Sequence, residues 1–253
     1  MYVRLKHGLS ALALESIRRP DGGLHRDAAV ALKALCHAAG PEGAPVPAAA
    51  LAARVRRRCA DAWRALRWLI RRGFLERRGD AVALPSGYAP HAAYLCRQVG
   101  RLDAILRRLA SSPRPRGRSG TIRRGLALFD GGLFFECHEY FEDLWRRAPA
   151  DGKAFYQGII LVAAGLYHFE KGNRHGARAK LSAGLQYLKR FSPAKDGIDV
   201  DRWVKRLEPW SAKVDSGEPG GALRSSQIPK AAAARAAGPR PKRCVMRLFS
   251  PTR

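Results

Sequence analysis

Apolar residues recur at three- and four-residue spacing through most of this chain, and only around residue 80 does the pattern shorten to alternation. Residues 27–39, with Asp27 as a cap and an Ala/Leu-rich run behind it, have helical propensity and period. Pro41, Gly43 and Pro45 stop that helix. Pro47 suits the first turn of a short second helix over 48–53, where its missing N–H leaves no bond unmade. A third helix is predicted over 58–72, ending at Gly73. With Leu66 at the centre of its buried face, 100° per residue brings Cys59, Ala62, Trp63, Leu69 and Ile70 inward. Arg57, Arg64, Arg67, Trp68 and Arg71 then point outward. Two short alternating segments, 74–78 and 81–84, flank Gly79-Asp80 and read as a β-hairpin.

Helical spacing returns in Leu95, Val99, Leu102, Ile105 and Leu109, a helix over 92–110 that suits packing on either neighbour or pairing with its copy in a dimer. Gly131-Gly132 marks a turn before a helix over 133–147. The next, 152–171, is apolar on nearly every side and so is expected at the centre. Its Gly158, Gly165 and Gly172 recur every seven residues and leave a bare strip for close helix approach, while Gln157, Leu161, Ala164 and His168 share another face. Helices over 174–190 and 199–214 complete an α-helical bundle.

Charge divides the chain further. Its 253 residues carry a formal net charge of +26, which points to a polyanionic partner. Residues 1–120 hold +15, residues 121–215 only +4, and the last 38 residues +7. In the front part 21 of 23 basic residues are Arg beside abundant Ala and Gly, a mixture that a GC-rich genome also produces without selection for binding. Residues 111–120, rich in Ser, Pro, Arg and Gly, read as a solvated linker, and the chain from Ser216 onward as a disordered tail. The five cysteines are odd in number, spread out and lack a C-x-x-C pair, which argues against a disulfide framework and a thiolate zinc site. The longest apolar stretch, 154–169, is broken by Gln157 and His168 and falls short of the ~20 residues of a membrane span. No signal-peptide core is visible, and the expected compartment is the cytoplasm with no membrane partner.

The order helix, short helix, arginine-bearing helix, hairpin over residues 27–84 resembles a winged helix-turn-helix. That resemblance implies DNA as partner, with the third helix in a major groove and the wing on the backbone. Arg57, Arg64, Arg67 and Arg71 then become candidates for phosphate and guanine contacts, and Arg77 and Arg78 for the wing. The stretch Phe129-Asp-Gly-Gly-Leu-Phe-Phe-Glu-Cys-His-Glu-Tyr-Phe-Glu-Asp-Leu-Trp-Arg, followed by Tyr156-Gln-Gly-Ile-Ile and Leu166-Tyr-His-Phe-Glu-Lys-Gly-Asn, resembles the bacterial and archaeal family called domain of unknown function 309. The motif H-x-x-x-E-x-x-W is matched by His138, Glu142 and Trp145. The resemblance implies an all-helical fold and carries little about activity.

The expected fold class is therefore mainly α. A winged helix-turn-helix with a small β-hairpin wing occupies 1–88, a helix and basic linker 89–120, an all-α bundle 121–215 and a disordered basic tail 216–253. His138 and Glu142, one helical turn apart, make a two-ligand metal edge, with His168 as the obvious third ligand and Gln157 a weak fourth. Glu139 and Cys137 are expected on other faces of that helix. The same residues also read as a hydrogen-bonded structural cluster, since leaving one unpaired inside a bundle costs about 1–3 kcal/mol, or as a ligand or catalytic pocket. An acid–base pair names no reaction by itself, so no catalytic residue is assigned and the divalent metal stays open. The leading expectation is a DNA-binding transcriptional regulator whose bundle senses a small-molecule or metal effector or holds a homodimer. The alternatives are a metal-assisted hydrolase of nucleic acid or phosphate esters using His138, Glu142 and His168, and a protein-interaction module using Trp68.

Overall fold

A computed structural model describes residues 2–231 apart from 21, 41–42 and 112–116. The heart of the expected linker and the tail beyond 231 therefore lie outside the described residues. Ten α-helices and two small antiparallel sheets make up what is described. The first helix, α1 (Tyr2–Arg18), was not anticipated from the pattern, although Leu5, Leu9, Leu12, Ala13 and Ile17 form a regular buried stripe. It packs against α2 (Leu24–Ala38).

Asp27 does not cap α2. The helix begins one turn earlier, behind Gly23, and Asp27 is buried within it. Its carboxylate instead accepts from the backbone N–H of Ala60 (2.9 Å) and Asp61 (3.3 Å), pinning the loop ahead of the arginine-bearing helix. That loop explains a second correction. The expected helix over 58–72 runs only over α4 (Ala62–Arg71), because Asp61 caps it by accepting from Arg64 N–H at 2.8 Å. Between them, β1 (Val46–Pro47) and α3 (Ala48–Val55) follow the breaker prolines.

The alternating segments form β2 (Glu76–Arg78) and β3 (Ala81–Ala83), joined by Gly79-Asp80 with Gly79 at φ 64°, a conformation glycine adopts without steric cost. β3 pairs antiparallel with both β2 and β1, giving the order β1-β3-β2. After a 3₁₀ turn (Ser86–His91), α5 (Ala92–Ser111) lies against α1 and α2. Cys36 of α2 and Cys96 of α5 meet there as a disulfide with Cα atoms 5.6 Å apart. This corrects the cysteine arithmetic: helical packing brings together two residues 60 positions apart that no local spacing connects.

Helix resumes at Gly117, earlier than the linker reading allowed, as α6 (Gly117–Asp130). Then come α7 (Phe134–Arg147), α8 (Ala150–Glu170) and α9 (Arg174–Lys189). The bare strip works as expected at two of its three glycines. A Cβ on Gly165 would stand 2.6 Å from the Leu181 side chain, and one on Gly158 3.0 Å from Leu188. Gly172 lies outside that contact and ends α8 at φ 71°. A hairpin of β4 (Ala194–Lys195) and β5 (Ile198–Asp199) precedes α10 (Val200–Asp215), whose cap is the Asp199 carboxylate on Arg202 N–H at 2.9 Å.

The reading of a disordered tail from Ser216 does not hold for its described part. Residues 218–231 strap the bundle: Leu223 and Ile228 are buried, Trp203 Nε1 donates to Pro229 O (3.0 Å), and Ala231 N–H donates to Asp130 (2.8 Å). Few large apolar residues are needed when two of them fill sites and backbone groups find fixed partners. A single core cluster runs from Leu5 to Ile228, so the front part and the bundle share one apolar interior. No described helix is long and apolar enough to cross a membrane.

Candidate functional site

Helix α7 carries the motif. Leu133, Phe134, Cys137 and Phe141 bury one side of it, which leaves His138, Glu139 and Glu142 half-exposed at its margin. His138 Nε2 stands 3.1 Å from Glu142 Oε1, the expected i, i+4 pair. Glu139 Oε1 approaches the other ring nitrogen, Nδ1, at 3.4 Å without hydrogen-bond alignment, and that nitrogen is buried with no hydrogen-bond partner. The three side chains offer ligand atoms within 4.8 Å of one another. Glu139 therefore joins the cluster instead of projecting away, because the long side chain curls back along the helix.

His168 does not complete that set. It lies on α8, where its Nδ1 meets Asn173 Nδ2 at 3.1 Å, outside the three-residue group. Burial depresses its pKa, helped by Lys180 and by His138, so the ring favours the neutral form that can bind metal. Gln157 is half-buried and bonds to no described side chain, and Trp145 packs against the core with the Lys153 ammonium 5.0 Å from its ring centroid. Neither reaches the histidine cluster as a ligand.

One interior group was overlooked in the sequence. Glu136 is only 1% exposed, with Oε2 lacking any partner. Burial pushes its carboxyl up to about 7, with Glu170 adding to the rise and Arg101 and Lys6 opposing it. Tyr94 OH and Gln98 Oε1 of α5 are likewise buried without an aligned partner, and the Tyr94 hydroxyl feels the Glu136 charge. The signal was available: Glu136 sits at i+3 from Leu133 and i−4 from Tyr140, an acid on an apolar stripe. Beside it the buried pair Arg101–Glu170 (2.8 Å) ties α5 to α8.

The basic face is exposed as expected. Arg57, Arg64, Arg67 and Arg71 are all solvent-facing, and none makes an ion pair with a described residue. The wing differs. Arg77 Nε donates to Gly79 O (2.9 Å), and Arg78 donates from Nε (2.8 Å) and Nη2 (2.6 Å) to Glu76 Oε1. Two tryptophans exchange their expected places. Trp63 is 48% exposed, whereas Trp68 is half-buried, stacked on Phe74 and edge-on to His25. Phe74 and His25 close on α4 from the side opposite Leu66, so this helix is buried on more than one face. Trp68, the residue expected to serve an interaction module, is thus half-buried instead of outward-facing.

With this geometry in view, similarity to known proteins locates one part of the chain. Residues 122–179 match the family model described as a domain of unknown function (DUF309). The His138–Glu139–Glu142 cluster and His168 all lie within the matched residues. An uncharacterized protein of Bacillus subtilis (strain 168), YpuF, is 30% identical over 69 residues, 27% of this chain and 40% of the relative. The chain thus matches less than half the length of that curated relative. No solved structure matches the chain. The DUF309 match begins at 122 and assigns no family to the residues before it.

Proposed function

We propose that this chain is a cytoplasmic DNA-binding protein, a transcriptional regulator that contacts duplex DNA through a winged helix-turn-helix formed by α2, α3, α4 and the β2–β3 hairpin. The observation that carries the reading is the row of unpaired arginines on α4 and the turn before it, held beside a hairpin in a sheet of order β1-β3-β2. A helix laid in a major groove presents such a row to phosphates and guanine edges, and a hairpin beside it reaches the backbone. Arg64, Arg67 and Arg71 fall on one outward face, with Arg57 at its head. The DUF309 domain is then the regulatory half, sensing a small-molecule or metal effector or holding a homodimer. The Cys36–Cys96 disulfide is the feature of the fold that a reducing cytoplasm would keep open.

The test is titration of full-length protein against duplex DNA across a salt series. Each phosphate contact contributes about one unit to the log–log salt slope, so Arg64→Ala/Arg67→Ala should lower it by about two units and weaken binding. Unchanged affinity and slope would remove the assignment.

A second reading, a metal-assisted hydrolase, is favoured by the three ligand atoms of His138, Glu139 and Glu142 within 4.8 Å. Three protein ligands with open positions suit a catalytic divalent ion that lowers the pKa of its water. Elemental analysis decides it: bound metal in the wild type that disappears in His138→Ala supports the reading, and equal metal content in both defeats it.

A further inference from the structure

We infer that the cleft between α4 and the β2–β3 hairpin is a pocket for one unstacked nucleobase, with Trp63 as its stacking wall. The inference rests on the DNA-binding reading and narrows it to nucleic acid with an unpaired base, such as a single strand, a gap or an end.

The cleft has a volume of about 380 Å³. That is near the lower end of the roughly 300–1,000 Å³ of pockets that enclose a small ligand, so it suits one ring system and its sugar instead of a helix or a strand of partner protein. Leu66, Ile70 and Val82 make it apolar inside, and Arg67 and Arg77 stand at its rim. Single exposed hydrophobic side chains are ordinary on protein surfaces. Trp63 is distinguished by its place: the indole borders this cleft one helical turn before Arg67, among arginines that have no described counter-charge.

A nucleotide matches these features in one unit. Its base offers a π-face to the indole, a sequence-tolerant contact. Its phosphates meet the guanidinium groups of Arg67 and Arg77, and Asp80 at the margin can accept from an amino or imino N–H of the base edge. Position agrees with chemistry. If α4 lies in a groove and the hairpin touches the adjacent backbone, the strand between those contacts passes over the cleft. An acidic peptide would satisfy the arginines but has no comparable claim on the aromatic wall.

The experiment measures binding of full-length wild type, Trp63→Ala and Trp63→Phe by fluorescence anisotropy. Three probes are used at one salt concentration: a duplex, one of its strands alone, and that strand with its bases removed at successive positions. Trp63→Ala should weaken single-strand binding about ten-fold or more, leave duplex binding nearly unchanged, and leave the salt slope unaltered. Trp63→Phe should retain most of the affinity, and wild type should bind the abasic strand no better than Trp63→Ala binds the normal one. Equal wild-type affinity for the normal and abasic strands overturns the inference while the DNA-binding reading stands. So does a Trp63→Ala loss that is the same on duplex and single strand. A Trp63-dependent affinity for polyglutamate that exceeds the single-strand affinity assigns the cleft to protein instead. Failure of wild type to bind any of the three nucleic acids ends both readings together.

Discussion

Several basic residues of the helical bundle have polar partners that the arginines of α4 lack, although Arg123, Arg190 and Arg202 of the bundle are exposed and also without an ion pair. In the bundle, Arg174 donates to Val214 O (2.8 Å) and Asp215 O (2.6 Å), Arg178 pairs with Asp215 (2.6 Å) and Lys189 with Glu208 (2.9 Å). Arg58, close to the α4 face, is also taken, bound with Lys33 to the buried Asp103 of α5. Burial pushes the Asp103 carboxyl up, but hydrogen bonds from Lys33 and Arg58 outweigh it and leave it below the usual range. On Arg57, Arg64, Arg67 and Arg71 no such partner is present among the described residues. The comparison separates two uses of a basic residue that a charge total cannot. A paired guanidinium is part of the fold, and an unpaired row at helical spacing is charge left available to something outside it.

The largest effect should come from the tie between the two regions. Arg101 and Glu170 are each about nine-tenths buried, and Arg101 also donates to Gly132 O (2.7 Å) and Leu223 O (2.6 Å). Removing one member of a buried pair leaves the other uncompensated, so Arg101→Ala should cost about 3–5 kcal/mol in urea unfolding. A loss within about 0.5 kcal/mol would show the regions to be held together by apolar packing alone.

Next in size is the pH dependence of the buried acid. Glu136 rises from an ordinary 4.5 to about 7 on folding, so between those values the folded chain retains a proton that the unfolded chain has released. Stability from this group is fully present below about 4.5 and is lost as pH climbs to 7, a change of about 3 kcal/mol. Glu136→Gln should flatten that part of the stability–pH curve. A shallower slope below 6 should remain from Asp130, whose carboxyl burial lifts to about 6. Identical curves for variant and wild type would place water or a counter-charge at Glu136.

The smallest effect is a control that sharpens the comparison itself. Arg178→Ala removes an exposed, paired arginine of the bundle, and exposed pairs are worth about 0–1 kcal/mol. It should leave both stability and the salt slope of DNA binding nearly unchanged, against the two-unit drop expected for Arg64→Ala/Arg67→Ala. Equal slopes for the two variants would mean that DNA meets the whole basic surface without preference.

Much of the architecture was legible because it is written in local terms. Breaker residues at 41–47 and Gly73 bound the front helices as expected, although the caps Asp61, Asn173 and Asp199 were not read from the sequence. Gly158 and Gly165 admit α9. Gly79-Asp80 turns the hairpin, and His138 reaches Glu142 one turn on. The turn and the motif pair depend on residues within a few positions of one another, and the glycines show as a bare strip through helical period alone. What failed shares a different property. The Cys36–Cys96 bridge, the capping of the α4 loop by Asp27, the strap of 218–231 and the burial of Trp68 by Phe74 and His25 join residues distant in sequence or approaching a helix from outside its expected face. Helical period says which side chains share a face, but which face is covered depends on every element that packs there. The sequence by itself determined most of the helices after the first, the hairpin turn and the motif on α7. Only the tertiary structure decided that Glu136 lies unpaired in the interior and that Trp63 borders a cleft, because both depend on neighbours supplied by other parts of the chain.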